Sequence, residues 1–178
     1  VIYIRHGEDE RITHKHDEEL TEQGKIQAEK VAKKLIELHG IPDIIYYSPF
    51  YRTRQTRKYM MKIIKNEMKK KGIYKNIDLM VEPKLGRFFS RKEKRNPDTR
   101  RSTVNKGAII YETYDEFSQR VKDVYEEIKS LNTNKVIWNI THALVFLQIT
   151  KHANIIRNPH IEYLDYCVVS TTISKSIP

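Results

Sequence analysis

Two apolar runs rich in β-branched residues, far apart in the chain, each stop at a histidine. Val1-Ile2-Tyr3-Ile4 runs into Arg5-His6-Gly7-Glu8, and Lys135-Val136-Ile137-Trp138-Asn139-Ile140 runs into Thr141-His142-Ala143. Near-continuous apolar runs of this length are what strands buried on both faces of a parallel sheet look like. If the two are neighbouring parallel strands, both histidines fall at the carboxyl edge of one sheet. Open α/β sheets place their ligands at that edge. Two histidines and an arginine there would suit a phosphate.

The rest of the chain alternates strand and helix patterns, which predicts a mostly parallel sheet covered on both faces, a three-layer α/β/α arrangement. Strands are expected at residues 1–5, 43–47, 77–81 and 135–140. An edge hairpin is expected from 161–163 and 167–173. Residues 7–19 are polar and irregular and read as a loop. A helix should then run to about Leu38, with Ala28, Val31, Ala32, Leu35 and Leu38 on its inner face. His39-Gly40 with Pro42 beyond ends it. Ser48-Pro49 reads as an N-cap and first helical residue. That helix should last to about Lys71, with Met60, Ile63, Ile64 and Met68 facing inward and Gly72 stopping it. Phe117, Val121, Val124, Ile128 and Leu131 mark a further helix from about Asp115, and another follows from Ala143 to His152.

With 178 residues, 39% hydrophobic and 31% charged, a single soluble domain over 1–178 is expected. One cysteine, Cys167, rules out a disulfide framework within the chain and points to a reducing, cytoplasmic setting. No apolar run is long enough to span a bilayer, and the opening residues carry a strand pattern rather than a signal-peptide layout. The net charge of +10 suits anionic partners, although part of it, such as the run from Lys65 to Lys71, reads as solvated helix surface.

Between the two histidine segments lies Ser48-Pro49-Phe50-Tyr51-Arg52-Thr53-Arg54-Gln55-Thr56. It places Arg52 in the first turn of a helix at the same sheet edge. Helix N-termini prefer anions, so an arginine there makes sense if it and the helix end share one. Arg54 and Arg57 read as surface residues.

Five stretches together resemble the histidine phosphatase superfamily, also called the phosphoglycerate mutase-like family. They are Ile4-Arg5-His6-Gly7-Glu8; Leu20-Thr21-Glu22-Gln23-Gly24 with Gln27-Ala28; Ser48-Pro49 through Arg52 to Gln55-Thr56; Tyr111-Glu112 with Phe117 and Arg120-Val121; and Val136 to His142. The resemblance implies the phosphoglycerate mutase-like α/β fold with a small lid insertion, here at about 83–110. It gives His6 the role of nucleophile and carrier of a phosphohistidine. Arg5 and Arg52 become guanidinium forks on the phosphoryl oxygens, a bidentate geometry lysine cannot reproduce. His142 becomes a second contact to those oxygens. Nearby cations favour the neutral, nucleophilic imidazole, and the same cations stabilise charge on the transferring group. Neither a metal nor another cofactor is required.

The chain also departs from the family pattern. Where many members carry an asparagine after the first motif, it has Ile12 with Thr13 beside it, and Thr13 is the candidate contact to substrate. The family's usual proton donor, in a Leu-x-Glu element after the third strand, corresponds to Leu85-Gly86-Arg87. Arginine cannot donate a proton to an alkoxide at neutral pH. Glu93 or Glu82 could swing in as acid, the leaving group could need none, or catalysis could be feeble. Glu8 could orient loop backbone or act in the chemistry, and Glu112 could position the pocket rim. His14 and His16 could be read as metal ligands, but no further ligand is suitably spaced.

The expected lid is basic: Arg87, Arg91, Lys92, Lys94, Arg95, Arg100, Arg101 and Lys106 against Glu93 and Asp98. With Arg87 and Arg91 as substrate contacts, it favours a polyanionic substrate, either a phosphorylated small molecule or a phosphopeptide; a basic loop with no such role is the plain alternative. The leading expectation is a phosphomonoester hydrolase acting through His6. Behind it stand an inactive phosphate-binding or interaction module of the same fold, a mutase, and last a nucleic-acid binder, for which no zinc or RNP signature is present.

Overall fold

A computed structural model of the protein describes residues 1–10, 17–90, 100–109, 111–131, 134–156 and 160–170. In chain order they form β1 (Ile2–Arg5), α1 (Glu22–His39), β2 (Ile44–Tyr47), α2 (Tyr51–Lys71), β3 (Asp78–Val81), a 3-10 turn (Pro83–Leu85), α3 (Arg101–Val104), α4 (Tyr114–Ser130), β4 (Ile137–Thr141), α5 (Ala143–His152) and β5 (Tyr166–Val168). The strands make one sheet in the order β3-β2-β4-β1-β5. The two histidine-terminated runs are indeed neighbours: β1 lies parallel to β4, with Ile2 opposite Trp138 and Arg5 opposite Thr141. β2 runs parallel to β4 and to β3, while β5 runs antiparallel to β1.

Strand side chains alternate between faces, and two apolar cores result. Ile2, Ile4, Ile45, Trp138 and Ile140 pack with Ala28, Ala32 and Leu35 of α1 and Met60 and Ile64 of α2. Tyr3, Ile44 and Ile137 pack with Phe117, Val121, Val124 and Ile128 of α4 and Val145, Phe146 and Ile149 of α5. The layers are therefore α1 and α2, the sheet, then α4 and α5. Trp138 is wholly buried at the centre, where truncation to alanine would cost about 3–5 kcal/mol. No helix among the described residues is long and apolar enough to cross a membrane.

Several expectations need correction. Residues 161–163 form no strand, so there is no edge hairpin. Glu162 N instead donates to Asp165 Oδ2 at 2.8 Å and Asp165 N to Glu162 O at 3.2 Å, which closes a turn before β5. That strand stops at Val168, and the expected run beyond Ser170 lies outside the described residues. Leu38 is 58% exposed: the buried face of α1 runs through Ala28, Ala32, Leu35 and Ile36, and at 100° per residue Leu38 falls off its edge. Ser48 does not cap α2. The N-cap position is Phe50, without a side-chain hydrogen bond, and Ser48 turns to His142.

Candidate active site

β1 and β4 end side by side, with His6 N donating to Thr141 O at 2.9 Å. The next residue of each chain segment carries an imidazole into the same space. The ring centroids of His6 and His142 stand 5.2 Å apart at 63°, and both side chains are buried. His6 Nδ1 is 2.8 Å from Gly7 O. A carbonyl only accepts, so Nδ1 bears the hydrogen and the lone pair lies on Nε2. His142 Nδ1 faces Arg52 Nε at 3.3 Å and Arg52 Nη2 at 3.2 Å. Guanidinium only donates, so here Nδ1 is the acceptor, and Nε2–H donates to Ser48 Oγ at 2.8 Å.

Both imidazoles are held neutral well below their ordinary titration range. For His6, burial contributes most and the Arg52 charge next, then Arg5 and Arg87, against the opposing hydrogen bond to Gly7. For His142, burial leads, followed by Arg52, His6 and Arg87. A cation beside an imidazole disfavours a second positive charge.

Arg52 is itself 3% exposed. Burial lowers its pKa to about 10 while Asp9 pushes it back up, so it stays cationic at neutral pH. Its Nη1 is 3.4 Å from Asp9 Oδ2. Arg5 lays its guanidinium 4.0 Å over the Tyr163 ring and donates from Nη1 to Ile161 O at 2.5 Å. Arg87 lies over the Phe89 ring at 5.1 Å, close enough for its charge to act on both histidines and on Arg52. Its approach is set from below. Arg120 donates to Gly86 O at 3.1 Å and to Lys84 O. A buried bidentate pair with Glu112, including Arg120 Nε to Oε2 at 2.9 Å, holds Arg120 in turn.

The motif blocks lock together through short polar contacts. Gly7 N donates to Thr56 Oγ1 at 3.0 Å, and that hydroxyl donates to Arg52 O at 2.8 Å. Leu20 N donates to Gln55 Oε1 at 2.6 Å. Thr21 caps α1 by accepting from Gly24 N at 2.9 Å, while Thr21 N donates to Glu8 O at 3.0 Å. Asp17, 3% exposed, accepts from Tyr51 N at the start of α2 at 2.6 Å. It also accepts from Arg100 N and from the Thr103 hydroxyl. Arg54 donates to Ser102 Oγ at 2.9 Å, and Arg100 stacks over Tyr51 at 4.2 Å. The segment 100–104 is thus fastened to the N-terminus of α2.

The structure brings His6, His142, Arg5, Arg52 and Arg87 together. It puts Glu82 to other use: its carboxylate accepts from Lys84 N at 2.9 Å and caps the 3-10 turn. Thr13, Arg91 and Glu93 lie outside the described residues, as do His14 and His16. Among the described residues, no group of three or more His, Cys, Asp or Glu could hold a metal ion. Sequence reasoning missed Asp9 and Tyr163. Tyr163 O–H donates to Asp9 Oδ1 at 2.9 Å, and its ring stands 5.8 Å from that of His6. Asp9 follows His6 closely enough to have been considered; nothing local marks Tyr163.

The family model for the histidine phosphatase superfamily (branch 1) matches residues 1–175. Among solved structures, an ecdysone phosphate phosphatase from Bombix mori in complex with tungstate is 16% identical, covering 94% of this chain and 82% of its own, with a TM-score of 0.63. A phosphoserine phosphatase from Entamoeba histolytica in complex with 3-phosphoglyceric acid is 19% identical, covering 93% and 87%, with a TM-score of 0.56. The protein histidine phosphatase SixA complexed with tungstate is 16% identical, covering 84% and 73%, with a TM-score of 0.53. At such identities the likeness speaks to the fold alone. No curated protein matches the chain.

Proposed function

The chain belongs to the histidine phosphatase superfamily, branch 1, and on that footing we propose that it hydrolyses phosphomonoesters through a phosphohistidine on His6. The observation that carries this reading is the state of His6. Its Nδ1 is committed to Gly7 O, and burial, helped by arginine charge, keeps it unprotonated, which leaves Nε2 free to attack phosphorus at neutral pH. Arg52 and Arg5 supply paired donors for the phosphoryl oxygens, and His142 faces the same space. The Arg52 contacts to His142 are long, at 3.2 and 3.3 Å, and an incoming oxyanion would replace them with shorter, charge-assisted bonds. This positive charge comes from side chains, so the reaction as proposed proceeds without a metal.

Arg87 adds a third guanidinium, which favours a substrate with more negative charge than one phosphoryl group carries. Phosphorylated small molecules and phosphopeptides both fit. The similar structures include phosphatases named for a small phosphomonoester and one named for protein histidine. The single buried thiol, Cys167, suits a cytoplasmic setting.

The test is to trap an acid-labile, base-stable phosphoenzyme after rapid mixing with a panel of phosphomonoesters, using His6→Ala as the blank. Trapped phosphate in the wild type alone supports the mechanism; turnover that survives His6→Ala refutes it. A second reading, a phosphate-binding module without turnover, draws on one observation: Glu82, expected as a possible acid, is occupied as a cap, while the resemblance implies an arginine, Arg87, in the place of the family's usual acid. Such a protein would bind phosphate yet leave activated aryl phosphates untouched.

A further inference from the structure

β3 is an outer strand of the sheet, at the end away from β5. Asp78 N and Glu82 N donate to Asp43 O and Tyr47 O, both at 2.9 Å, so the alternate residues Leu79 and Val81 turn their N–H and C=O outward. Among the described residues no strand covers that edge. Leu79 and Met80 are 40% and 47% exposed, one on each face of the sheet. Bare backbone flanked by exposed apolar side chains is a template for another strand.

The two faces of this edge differ in charge. Leu79 is in register with Ile45, whose side chain packs toward α1 and α2, and on that face a groove of about 740 Å³ lies between β3 and α2. Its floor is Met61, Met68, Ile77 and Leu79. Its walls carry Arg57, Lys58, Lys62, Lys65 and Lys75 and, among the described residues, no acid. Lys62 is answered by Glu29 at 2.7 Å and Lys75 by Asp43 at 2.9 Å. Among the described residues no carboxylate pairs with Arg57, Lys58 or Lys65. Arg57 lays its guanidinium 4.7 Å over Tyr47, and its Nε is buried there without an acceptor. The acids of the edge, Asp78 and Glu82, sit on the opposite face, where both bear on Tyr46.

We propose that this edge docks an acidic, extended segment of a partner protein, which adds to the sheet beside β3. Its main chain takes the outward N–H and C=O groups of Leu79 and Val81. Every second side chain, a Glu or Asp, lays its stem on the apolar floor and turns its carboxylate to Arg57, Lys58 and Lys65. The apolar side chains between them cover Met80. Backbone bonds supply affinity in such strand addition, and the alternate side chains supply specificity. A small anion would satisfy the cations but leave the backbone and Met80 bare. A second copy added antiparallel would bring its own α2 cations onto the same face, like charge against like. The site stands apart from the phosphoryl chemistry and does not depend on it.

The test is fluorescence anisotropy of the full chain with an end-blocked, labelled peptide alternating Glu and Val. The same residues arranged in two blocks, and a peptide alternating Lys and Val, serve as controls. The alternating acidic peptide should bind at least about 10-fold more tightly than either control, and Lys58→Glu with Lys65→Glu should cost at least about 10-fold and favour the Lys peptide. Leu79→Pro removes an outward N–H and leaves the ladder to β2 intact, so it should weaken binding as well. Should that variant not fold, N-methylated peptides probe the same bonds with the protein unaltered. A docked strand points one set of its alternate N–H groups at β3 and the other at solvent. Methylation of the Glu nitrogens or of the Val nitrogens should therefore abolish binding in one peptide and spare it in the other. Equal binding of the block peptide, indifference to both methylations or to charge reversal, or no peptide binding at all would overturn the proposal. So would a concentration-dependent dimer lost in Leu79→Pro, which would give the edge to a second copy, or phosphatidylserine vesicles that displace the peptide from the cations.

Discussion

Gly7 lies against the first turn of α1 so closely that a Cβ placed on it would stand 2.8 Å from the carbonyl oxygen of Gly24. The reverse approach is tighter still: a Cβ on Gly24 would meet Glu8 O at 2.2 Å. Backbone packs on backbone here, so neither side has a flexible end that can yield. The loop that follows His6 is consequently set by the helix it rests on. Gly24→Ala should push residues 7–8 away from α1 and carry the Gly7 carbonyl with them, loosening its hold on Nδ1. We expect a loss of about 1–3 kcal/mol in urea unfolding, the usual size for overpacking, together with a slower phosphoenzyme burst. A variant with wild-type stability and burst would show that the loop relaxes freely.

The buried imidazoles make stability depend on pH in a definite direction. Their folded-state pKa values lie well below the ordinary 6.5. As pH falls below 6.5, the unfolded chain takes up protons that the folded chain refuses. Stability must therefore rise with pH in that window and be lost as pH falls from about 6.5 toward the depressed folded values, by up to about 1.4 kcal/mol per pH unit for each histidine. Above the window both states are neutral and the term is constant. Urea midpoints measured from pH 7.5 down to pH 5 should fall, and His142→Gln should flatten the slope. An unchanged slope in that variant would mean the imidazole takes its proton in the folded state at the ordinary pH.

Arg52 should not be replaceable by lysine. Its Nε and Nη2 both point at His142 while Nη1 points at Asp9, a division of labour that needs the planar fork. Arg52→Lys keeps the charge and loses the geometry. We expect phosphoenzyme formation to drop by about 10²–10³-fold, comparable to removing one donor to a developing oxyanion. Inhibition by tungstate or phosphate should weaken in parallel. Near-normal rates with lysine would mean that Arg52 acts as a point charge only.

Much of this arrangement was legible in the sequence because it is local or periodic. The runs ending at His6 and His142 suggested that β1 and β4 are neighbours sharing one edge, since buried parallel strands carry unbroken apolar stretches; the order of the remaining strands was not read from them. The faces of α1, α2 and α4 followed from helical spacing, except at Leu38, which lies at the edge of the buried face of α1, and at Leu131, which follows the last residue of α4; both are exposed. What was not legible comes from long-range partners. Ser48 has the chemistry of an N-cap, yet His142 outcompetes the helix end for its hydroxyl, and Asp17, three residues before Leu20, supplies the acceptor for Tyr51 N instead. Arg100 looked like free lid charge, but it pairs with Glu19 and stacks on Tyr51. Asp9 meets Tyr163 across nearly the whole chain, and no local spacing encodes that contact.

The ion pair beneath Arg87 gives a test of how the rim is built. Glu112 and Arg120 are both buried, at 4% and 8% exposure, and Arg120 also satisfies the carbonyls of Lys84 and Gly86. Removing only the carboxylate strands a buried guanidinium, so Glu112→Ala should cost about 3–5 kcal/mol. Replacing both partners with apolar residues of similar volume, as in Glu112→Leu with Arg120→Met, removes the uncompensated charge and should recover most of that loss, since such swaps are often neutral or better. Stability and function should then part. Without Arg120 the carbonyls of Lys84 and Gly86 lose their donor, the turn that carries Arg87 loosens, and the affinity for multiply charged phosphates should fall although the protein is folded. Thermal melts read the first effect, and competition by inorganic phosphate against a more highly charged ester reads the second. If the double variant regained both, Arg87 would owe its position to the apolar contacts of Phe88 and Phe89 rather than to the buried pair.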